Sequence, residues 1–183
     1  MLQKNLIRKK YYLLRKEKYY EISKLFFSPF LDLIKLKFKK KKIKLALYYP
    51  SSFEINVLKL LEINFISKQN LLLPVIEEND SMNFFQWKKN EVLKVNKYGI
   101  LEPNKLIKNV PNVMLVPLLA FDKDKYRLGY GKGFYDRYLN KYLKKFKNIL
   151  TVGVAFSFQK HHKLPINNMD VKLNFILTEK GIY

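Results

Sequence analysis

The stretch that sets the fold runs from residue 113 to residue 143 and reads VMLVPLLAFDKDKYRLGYGKGFYDRYLNKYL. It opens with an apolar run of strand length and closes, from Phe134 to Leu143, with a pattern typical of a helix. Gly129, Gly131 and Gly133 lie between the two and are three of only six glycines in the chain. A glycine loop between a strand and a helix indicates an α/β fold whose binding site includes the start of that helix.

The glycine loop has the composition of an anion-binding site. Alternating glycines let backbone amides converge on an anion without interference from Cβ atoms, and the dipole of the following helix favours phosphate. Arg127 and Lys132 add two full positive charges. The loop is neither a Walker loop, since no Ser or Thr follows Lys132, nor a G-x-G-x-x-G motif. A tight turn with ordinary glycines is the alternative interpretation.

Further short apolar runs of strand length recur along the chain, at 43–49, 71–76, 84–87, 92–95, 150–155 and 175–178. Helical spacing covers residues 2–24 and 25–36, with an interruption at Pro29. Ser51 and Ser52 supply N-cap chemistry for a third helix through Leu61. Short continuous apolar runs between helices are typical of a mostly parallel sheet covered on both faces. We therefore expect a single three-layer α/β/α domain over residues 1–183.

Composition excludes several classes of site. The chain has 183 residues, no cysteine and two histidines, so disulfide scaffolds, thiolate zinc sites, cysteine nucleophiles and multi-histidine metal centres are excluded. The first twelve residues are cationic with no apolar segment behind them, and no apolar run approaches the length of a membrane span. We expect a cytoplasmic, monomeric protein that is not bound to a membrane.

The charge of the chain has two interpretations. Lys and Arg number 36 against 15 Asp and Glu, which gives a formal net charge of +21. Such an excess is typical of proteins that bind nucleic acid. The densest run, Lys35 to Lys44, holds seven lysines but no ribonucleoprotein-type motif accompanies it. The other interpretation is that A/T-rich codons produce many Lys, Asn, Ile and Tyr residues. A basic nucleic-acid-binding protein therefore stays an alternative.

Two carboxylates and several aromatic residues are weaker candidates. Asp136 follows the glycine loop by one helical turn and suits a Mg2+ that accompanies a triphosphate, although acidic residues in first turns commonly just complement the dipole. Asp170 lies in a loop before the last apolar run, where turn chemistry is the simpler interpretation. Tyr49, Tyr98 and Tyr130 fall beside expected loops, where a flat heteroaromatic ligand can stack on them.

The pair of segments VPLLAFD at 116–122 and RLGYGKGFYDR at 127–137 resembles the signature of the 5-formyltetrahydrofolate cyclo-ligase family. Further similarities lie at 4–8, 49–54, 73–82, 98–103, 152–159 and 164–170. Leu118 and Lys125 depart from the family pattern, which usually has glycine at both places. Both departures concern turn geometry more than contact groups.

The resemblance implies a three-layer α/β fold and an ATP-dependent conversion of 5-formyltetrahydrofolate, with or without a polyglutamate tail, to 5,10-methenyltetrahydrofolate. In that reaction the formyl oxygen attacks the γ-phosphate of ATP, nitrogen ten of the folate closes the ring, and phosphate departs. Positioning and charge neutralisation dominate such catalysis. A non-enzymatic nucleotide sensor on the same fold is a further alternative, which would bind ATP without turning it over.

The resemblance also assigns roles to residues. It implies ATP contacts at Lys4, Arg8, Arg127, Leu128, Gly129, Tyr130, Gly131, Lys132, Gly133, Phe134 and Tyr135. It implies folate contacts at Tyr49, Glu54, Met82, Tyr98, Tyr130, Gly131, Lys132, Gly133 and Phe134. Asp136 and Asp170 correspond to Mg2+ ligands. Lys132 and Arg127 correspond to catalytic residues, with Lys132 nearest the transferred phosphoryl group.

Overall fold

A computed structural model describes residues 2–39, 41–78, 80–104, 107–146 and 148–183, so that Lys40 of the lysine run lies outside it. The α-helices are α1 (Leu2–Lys18), α2 (Ser28–Phe38), α3 (Asn64–Ser67) and α4 (Phe134–Leu143). Short 3-10 helices cover Lys24–Phe27, Val57–Glu62 and Ser157–Gln159. Within these ranges no helix is both long and apolar enough to cross a bilayer.

A central sheet of eight strands organises the molecule. The strands are β1 (Lys44–Ala46), β2 (Asn70–Ile76), β3 (Met82–Gln86), β4 (Leu93–Val95), β5 (Leu101–Pro103), β6 (Lys108–Asn109), β7 (Val113–Pro117), β8 (Ala120–Phe121), β9 (Arg127–Leu128), β10 (Leu150–Val154), β11 (Phe175–Thr178) and β12 (Gly181–Ile182). The central sheet has the order β12-β11-β10-β7-β1-β2-β3-β6, and β4-β5 and β8-β9 form two small antiparallel pairs. Five adjacent strands, from β11 to β2, are parallel, which confirms the predicted mostly parallel sheet.

The two faces of the sheet are covered by different helices. In β1 and just after it, Leu45 and Leu47 pack in the same cluster as Phe30 of α2, whereas Ala46 packs in a second cluster with Leu139 of α4. Successive side chains of a strand point to opposite faces, so this alternation places one helical layer on each side. The predicted three-layer α/β/α architecture is confirmed.

Two expectations for the helices need correction. The helix predicted after Ser51 and Ser52 is wrong: the backbone at Ser52 and Phe53 has φ of 48° and 63°, which is incompatible with a helical start. A 3-10 helix begins only at Val57, and the side chain of Asn56 caps it by accepting a hydrogen bond from the Leu58 amide. The first helix is also shorter than the predicted 2–24 and ends at Lys18.

Pro29 marks a start rather than an interior break. The 3-10 helix Lys24–Phe27 ends where α2 begins, and Pro29 lies in the first turn of α2. Proline is tolerated there because its missing N–H has no helical partner in the first turn. The predicted interruption is thus the junction between two helices of different type.

Helix α1 packs against the hairpin that precedes the glycine loop. Ile7 and Tyr11 of α1 share a buried cluster with Leu119, Leu128 and Leu164. The Tyr11 hydroxyl also donates a hydrogen bond to the Lys160 carbonyl at 3.0 Å. This packing holds α1 beside residues 129–133, which connect β9 to α4.

Candidate active site

The glycine loop lies directly before α4, and Gly133 is the N-cap residue of that helix. Gly131 and Gly133 have φ of 104° and 69°, in the left-handed region that favours glycine. A Cβ atom on Gly131 would lie 3.3 Å from Cζ of Arg8, and one on Gly133 would lie 2.9 Å from an Arg137 guanidinium nitrogen. Gly129 has nothing within 4 Å of its Cβ position. The loop therefore needs glycine at 131 and 133 for its backbone conformation, whereas the nearest atoms are the ends of flexible arginine side chains that can move.

One face of α1 carries three cations, two of which contact the glycine loop while the third pairs with Asp170. Lys4, Arg8 and Arg15 are separated by four and seven residues, and at about 100° per residue they share one face. Nε of Arg8 donates to the Gly129 carbonyl at 2.8 Å, and another guanidinium nitrogen donates to Asn5 at 2.7 Å. The Arg8 guanidinium thus holds the first residue of the loop from the side of α1.

Two ion pairs join the predicted phosphate-binding cations to the predicted metal-binding carboxylates. Lys4 Nζ lies 2.5 Å from Asp170 Oδ2, and an Arg127 guanidinium nitrogen lies 2.8 Å from Asp136 Oδ1. The same Asp136 oxygen accepts from the amide of Val171 at 3.3 Å, so Asp136 contacts the residue next to Asp170. The structure therefore brings both carboxylates to one region.

This carboxylate pair fits a Mg2+ ion that also contacts phosphate. Mg2+ prefers oxygen ligands, usually one or two carboxylates completed by water and substrate phosphates. No group of three or more His, Cys, Asp or Glu side chains suited to a metal occurs in the described part of the chain. Two carboxylates, Asp136 and Asp170, suit a Mg2+ ion whose other ligands are water and substrate phosphate. They are too few for an ion held by protein ligands alone.

A cleft of about 380 Å³ contains two of the predicted folate residues. Tyr49 and Glu54 both line it, together with Tyr19 and Phe53, whose rings meet edge to face at 5.9 Å. The remaining lining residues are Pro50, Ser51, Ser52, Asn56 and Leu58. Aromatic walls around one carboxylate suit a flat ring with hydrogen-bond donors at its edge.

The carboxylate of Glu54 is buried, with 7% of the residue exposed. Burial raises its pKa, and three influences oppose that rise: the charge of Arg15, hydrogen bonds from Ser51, and a hydrogen bond from the Tyr130 hydroxyl. The Ser51 amide donates to Oε2 at 2.9 Å. The pKa of Tyr130 is raised in turn, first by burial and then by the charge of Glu54. Glu54 and the glycine loop are thus electrostatically connected.

A second cleft, of about 350 Å³, contains three more of the predicted folate residues. It is lined by Tyr98, Lys132, Phe134, Arg137 and Asp80. Lys132 Nζ lies 5.6 Å from the centroid of the Tyr98 ring, and that ring meets Phe134 at 5.6 Å. Five of the predicted folate residues are therefore divided between two clefts. Tyr130 of the glycine loop is connected to the first cleft through Glu54, and Lys132 lines the second.

Comparison with known proteins decides the family. A family model described as "5-formyltetrahydrofolate cyclo-ligase family" matches residues 4–179. The chain belongs to the 5-formyltetrahydrofolate cyclo-ligase family. It is 34% identical over 140 residues to a 5-formyltetrahydrofolate cyclo-ligase of Haemophilus influenzae, covering 73% of this chain and 74% of the relative. A probable cyclo-ligase of Schizosaccharomyces pombe is 30% identical over 157 residues, or 78% of this chain and 76% of the relative.

Solved structures of family members share the fold. The 5,10-methenyltetrahydrofolate synthetase of Aquifex aeolicus matches with a TM-score of 0.76 and 33% identity, over 100% of this chain and 92% of that chain. The Mycoplasma pneumoniae synthetase matches with a TM-score of 0.66 and 28% identity, over 96% of this chain and 98% of that chain. Both likenesses extend over nearly the whole length, so the cyclo-ligase resemblance of the sequence is confirmed.

Three residues with predicted contacts have side chains that are largely internal. Met82 of β3 is 7% exposed and packs with Phe84, and it lines neither cleft. Leu128 is 3% exposed in the cluster under α1. The Tyr135 hydroxyl is buried with no hydrogen-bond partner among the described residues, and its ring lies 6.0 Å from Arg127 Cζ. Their predicted contacts with ligand stay predictions.

Sequence reasoning missed Arg15 and Arg137. Arg137 donates to the Lys132 carbonyl at 2.8 Å and to the Asp80 carbonyl at 3.0 Å, which ties the glycine loop to the turn before β3. A position next to Asp136 gives no signal for this role. Arg15 had one signal, because it continues the helical face of Lys4 and Arg8.

Proposed function

We propose that this protein converts 5-formyltetrahydrofolate to 5,10-methenyltetrahydrofolate with ATP, releasing ADP and phosphate. The observation that carries the proposal is the placement of the glycine loop. On one side Arg8 holds Gly129 near the ion pairs of Asp136 and Asp170, and on the other the Tyr130 hydroxyl interacts with the Glu54 carboxylate and lowers its pKa. A nucleotide at the loop and a folate beside Glu54 would therefore be neighbours.

The proposed reaction needs positioning more than proton transfer. The formyl oxygen forms a bond to the γ-phosphorus as the bond to the ADP oxygen breaks, which turns a poor leaving group into a phosphate ester. Nitrogen ten then attacks the formyl carbon, its proton passes to water, and the bond from carbon to the phosphate oxygen breaks. Orientation of groups for a ring closure of this kind is worth about 7–11 kcal/mol.

The charges at the loop suit the transfer step. Lys132 is exposed on the glycine loop, so its ammonium has access to a phosphoryl group bound there. Arg127 is buried beside Asp136, where its guanidinium is fixed before any ligand arrives. Asp136 and Asp170 would hold Mg2+, which when bound neutralises charge on phosphate oxygens. Preorganised charges of this kind stabilise the transition state because they need no reorganisation.

The folate side of the proposal depends on Glu54. A buried carboxylate accepts two parallel hydrogen bonds from a planar donor edge, which a pterin ring presents. Tyr49 and Phe53, which line the same cleft, supply apolar surface for the ring. The cost of burying the carboxylate is offset by Ser51, Tyr130 and Arg15.

An absorbance assay tests the proposal. Purified protein is mixed with 5-formyltetrahydrofolate and MgATP, and the methenyl chromophore is followed, with ADP replacing ATP in the control. We expect product only with ATP. Binding of ATP without product would support the sensor alternative. Retention of RNA at physiological salt, with steep salt dependence and no product, would support the nucleic-acid alternative.

A further inference from the structure

Arg15 is among the most deeply buried side chains of the molecule, with 1% of the residue exposed. Its guanidinium nitrogens donate to the Leu118 carbonyl at 3.0 Å and to the Ser52 carbonyl at 2.7 Å. A third bond goes to the hydroxyl of Tyr130. Arg15 thereby connects α1 to three segments: the end of β7, the loop before Glu54, and the glycine loop.

The charge of Arg15 is not neutralised by direct contact with a carboxylate. Among the described residues no Asp or Glu oxygen forms an ion pair with it, and its Nε is buried without a hydrogen-bond partner. Burying a guanidinium in this way is costly unless a charge or dipoles compensate it. Two carbonyl dipoles lie against it, and the nearby Glu54 interacts with it electrostatically. A side chain that only filled space would carry no such cost.

Arg8 and Arg15 on one face of α1 contact neighbouring residues of the glycine loop, one toward the proposed nucleotide site and one toward the proposed folate site. Arg8 and Arg15 are seven residues apart, so their backbones are separated by about 10.5 Å along the helix axis. Arg8 holds the Gly129 carbonyl, whereas Arg15 holds the hydroxyl of the next residue, Tyr130. The same helix face thus contacts the nucleotide side and the folate side of one loop.

We propose that Arg15 is a positioning residue for the folate substrate, acting through the Tyr130 hydroxyl and the negative charge of Glu54. The inference rests on the proposed function, because it assigns Glu54 to the pterin ring. Arg15 itself does not line the folate cleft, so its effect is transmitted by the two residues that it influences.

The proposal predicts a particular pH dependence. The titratable groups that face Glu54 are Arg15 from α1, Tyr48 after β1, Tyr130 from the glycine loop and Tyr135 from α4. Of these four groups Arg15 alone is cationic. Without Arg15, its charge no longer opposes the effect of burial. The pKa of Glu54 then rises further, and the carboxylate is protonated at a higher pH. As the pH is lowered, the variant should therefore lose folate binding at a higher pH than the unaltered protein does.

The test compares Arg15→Met with Lys16→Met, which removes an exposed charge from the next position of the same helix. Calorimetry measures binding of 5-formyltetrahydrofolate without nucleotide between pH 5.5 and 8.5, and binding of a non-hydrolysable ATP analogue separately. We expect Arg15→Met to weaken folate binding at pH 7 by about tenfold and to move the acid limb of the profile to higher pH. Binding of the analogue and all properties of Lys16→Met should change by less than about threefold.

Each outcome decides a separate point. Weaker folate binding with an unmoved acid limb would overturn the proposal, because a purely structural role gives that result. If Arg15→Met fails to fold, Arg15→Lys keeps the charge and loses donors. It should weaken folate binding by about threefold with the acid limb unchanged, and unaltered binding would overturn the proposal. If the unaltered protein does not bind folate, the proposed function fails first and the inference fails with it.

Discussion

Lys4 Nζ lies 2.5 Å from Asp170 Oδ2 although 166 positions of sequence separate the two residues. The pair from Arg127 to Asp136, at 2.8 Å, repeats the relationship, since each joins a proposed phosphate ligand to a proposed metal ligand. Both cations and both carboxylates are therefore balanced before ligand binds. A complex of ATP and Mg2+ has the same two kinds of charge and can exchange with these pairs.

The two ion pairs should differ in their contribution to stability. The Arg127 side chain is 3% exposed, so Asp136→Asn leaves a buried charge without its partner, at a cost of about 3 kcal/mol. The Lys4 side chain is 18% exposed and flexible, so after Asp170→Asn it can turn to water, at a cost of about 1 kcal/mol. Urea unfolding measures both, with Asp124→Asn at an exposed position as control. Equal losses would contradict this account.

Lys132→Ala should reduce turnover much more than it weakens folate binding. Removing one charge from the transferring phosphoryl group lowers kcat by about a hundredfold or more. The apparent folate affinity should change by less than about threefold, because Glu54 lies in the other cleft. Steady-state kinetics with varied folate separates the two parameters, and Lys123→Ala removes an exposed lysine outside the loop as control. Unchanged kcat would remove Lys132 from the mechanism.

Lys125→Gly should stabilise the protein. Lys125 has φ of 67°, a conformation that costs a residue with a Cβ atom about 1–2 kcal/mol. Glycine avoids that cost but loses about 0.5–1 kcal/mol through the greater freedom of the unfolded chain. We expect a net gain of roughly 0.5 kcal/mol in thermal or urea unfolding. Lys123→Gly, at a residue without positive φ, should instead destabilise the protein.

Glu54→Gln should raise stability at neutral pH. Burial raises the pKa of Glu54 above its ordinary value of 4.5, so the folded state holds the proton more tightly than the unfolded state does. The free energy of unfolding therefore falls as the pH rises from 4.5 through the folded pKa, and glutamine removes that loss. Melting temperatures between pH 4.5 and pH 8 should show an advantage that shrinks toward acid. A difference in melting temperature that does not change with pH would contradict a raised pKa of Glu54.

The sheet and the glycine loop were predictable because both depend on local sequence. Apolar runs of strand length marked β1, β2, β7, β10 and β11, and the loop stood out in a chain with six glycines. The loop before Glu54 was not predictable in the same way. Ile55, Leu58 and Leu61 have helical spacing, yet they follow a turn whose positive φ at Ser52 and Phe53 depends on tertiary packing. Periodicity alone does not distinguish a 3-10 helix from a longer α-helix there.

Leu118 and Lys125, which replace the glycines usual in the family, differ in their structural role. Leu118 is 1% exposed, and its Cδ2 lies 2.8 Å from the position that a Cβ on Gly153 would take. Leu118 therefore fills the space that the glycine at 153 leaves, which is a packing role that spacing in the sequence does not reveal. Lys125 keeps a glycine-like backbone without being glycine. Arg15 was missed for another reason: it shares a helix face with Lys4 and Arg8, but that face alone does not show which of its cations is buried.

The contacts of α1 link ligand binding to local unfolding of this helix. Much of its surface is exposed, including Leu2, Leu6 and Leu13, whereas Lys4, Arg8 and Arg15 hold it to the glycine loop and to Asp170. A ligand that binds only when this face is in place lowers the population in which α1 has come away from the β8-β9 hairpin. Amide hydrogens of α1 should consequently exchange more slowly when folate and nucleotide are bound, although most of the helix touches neither.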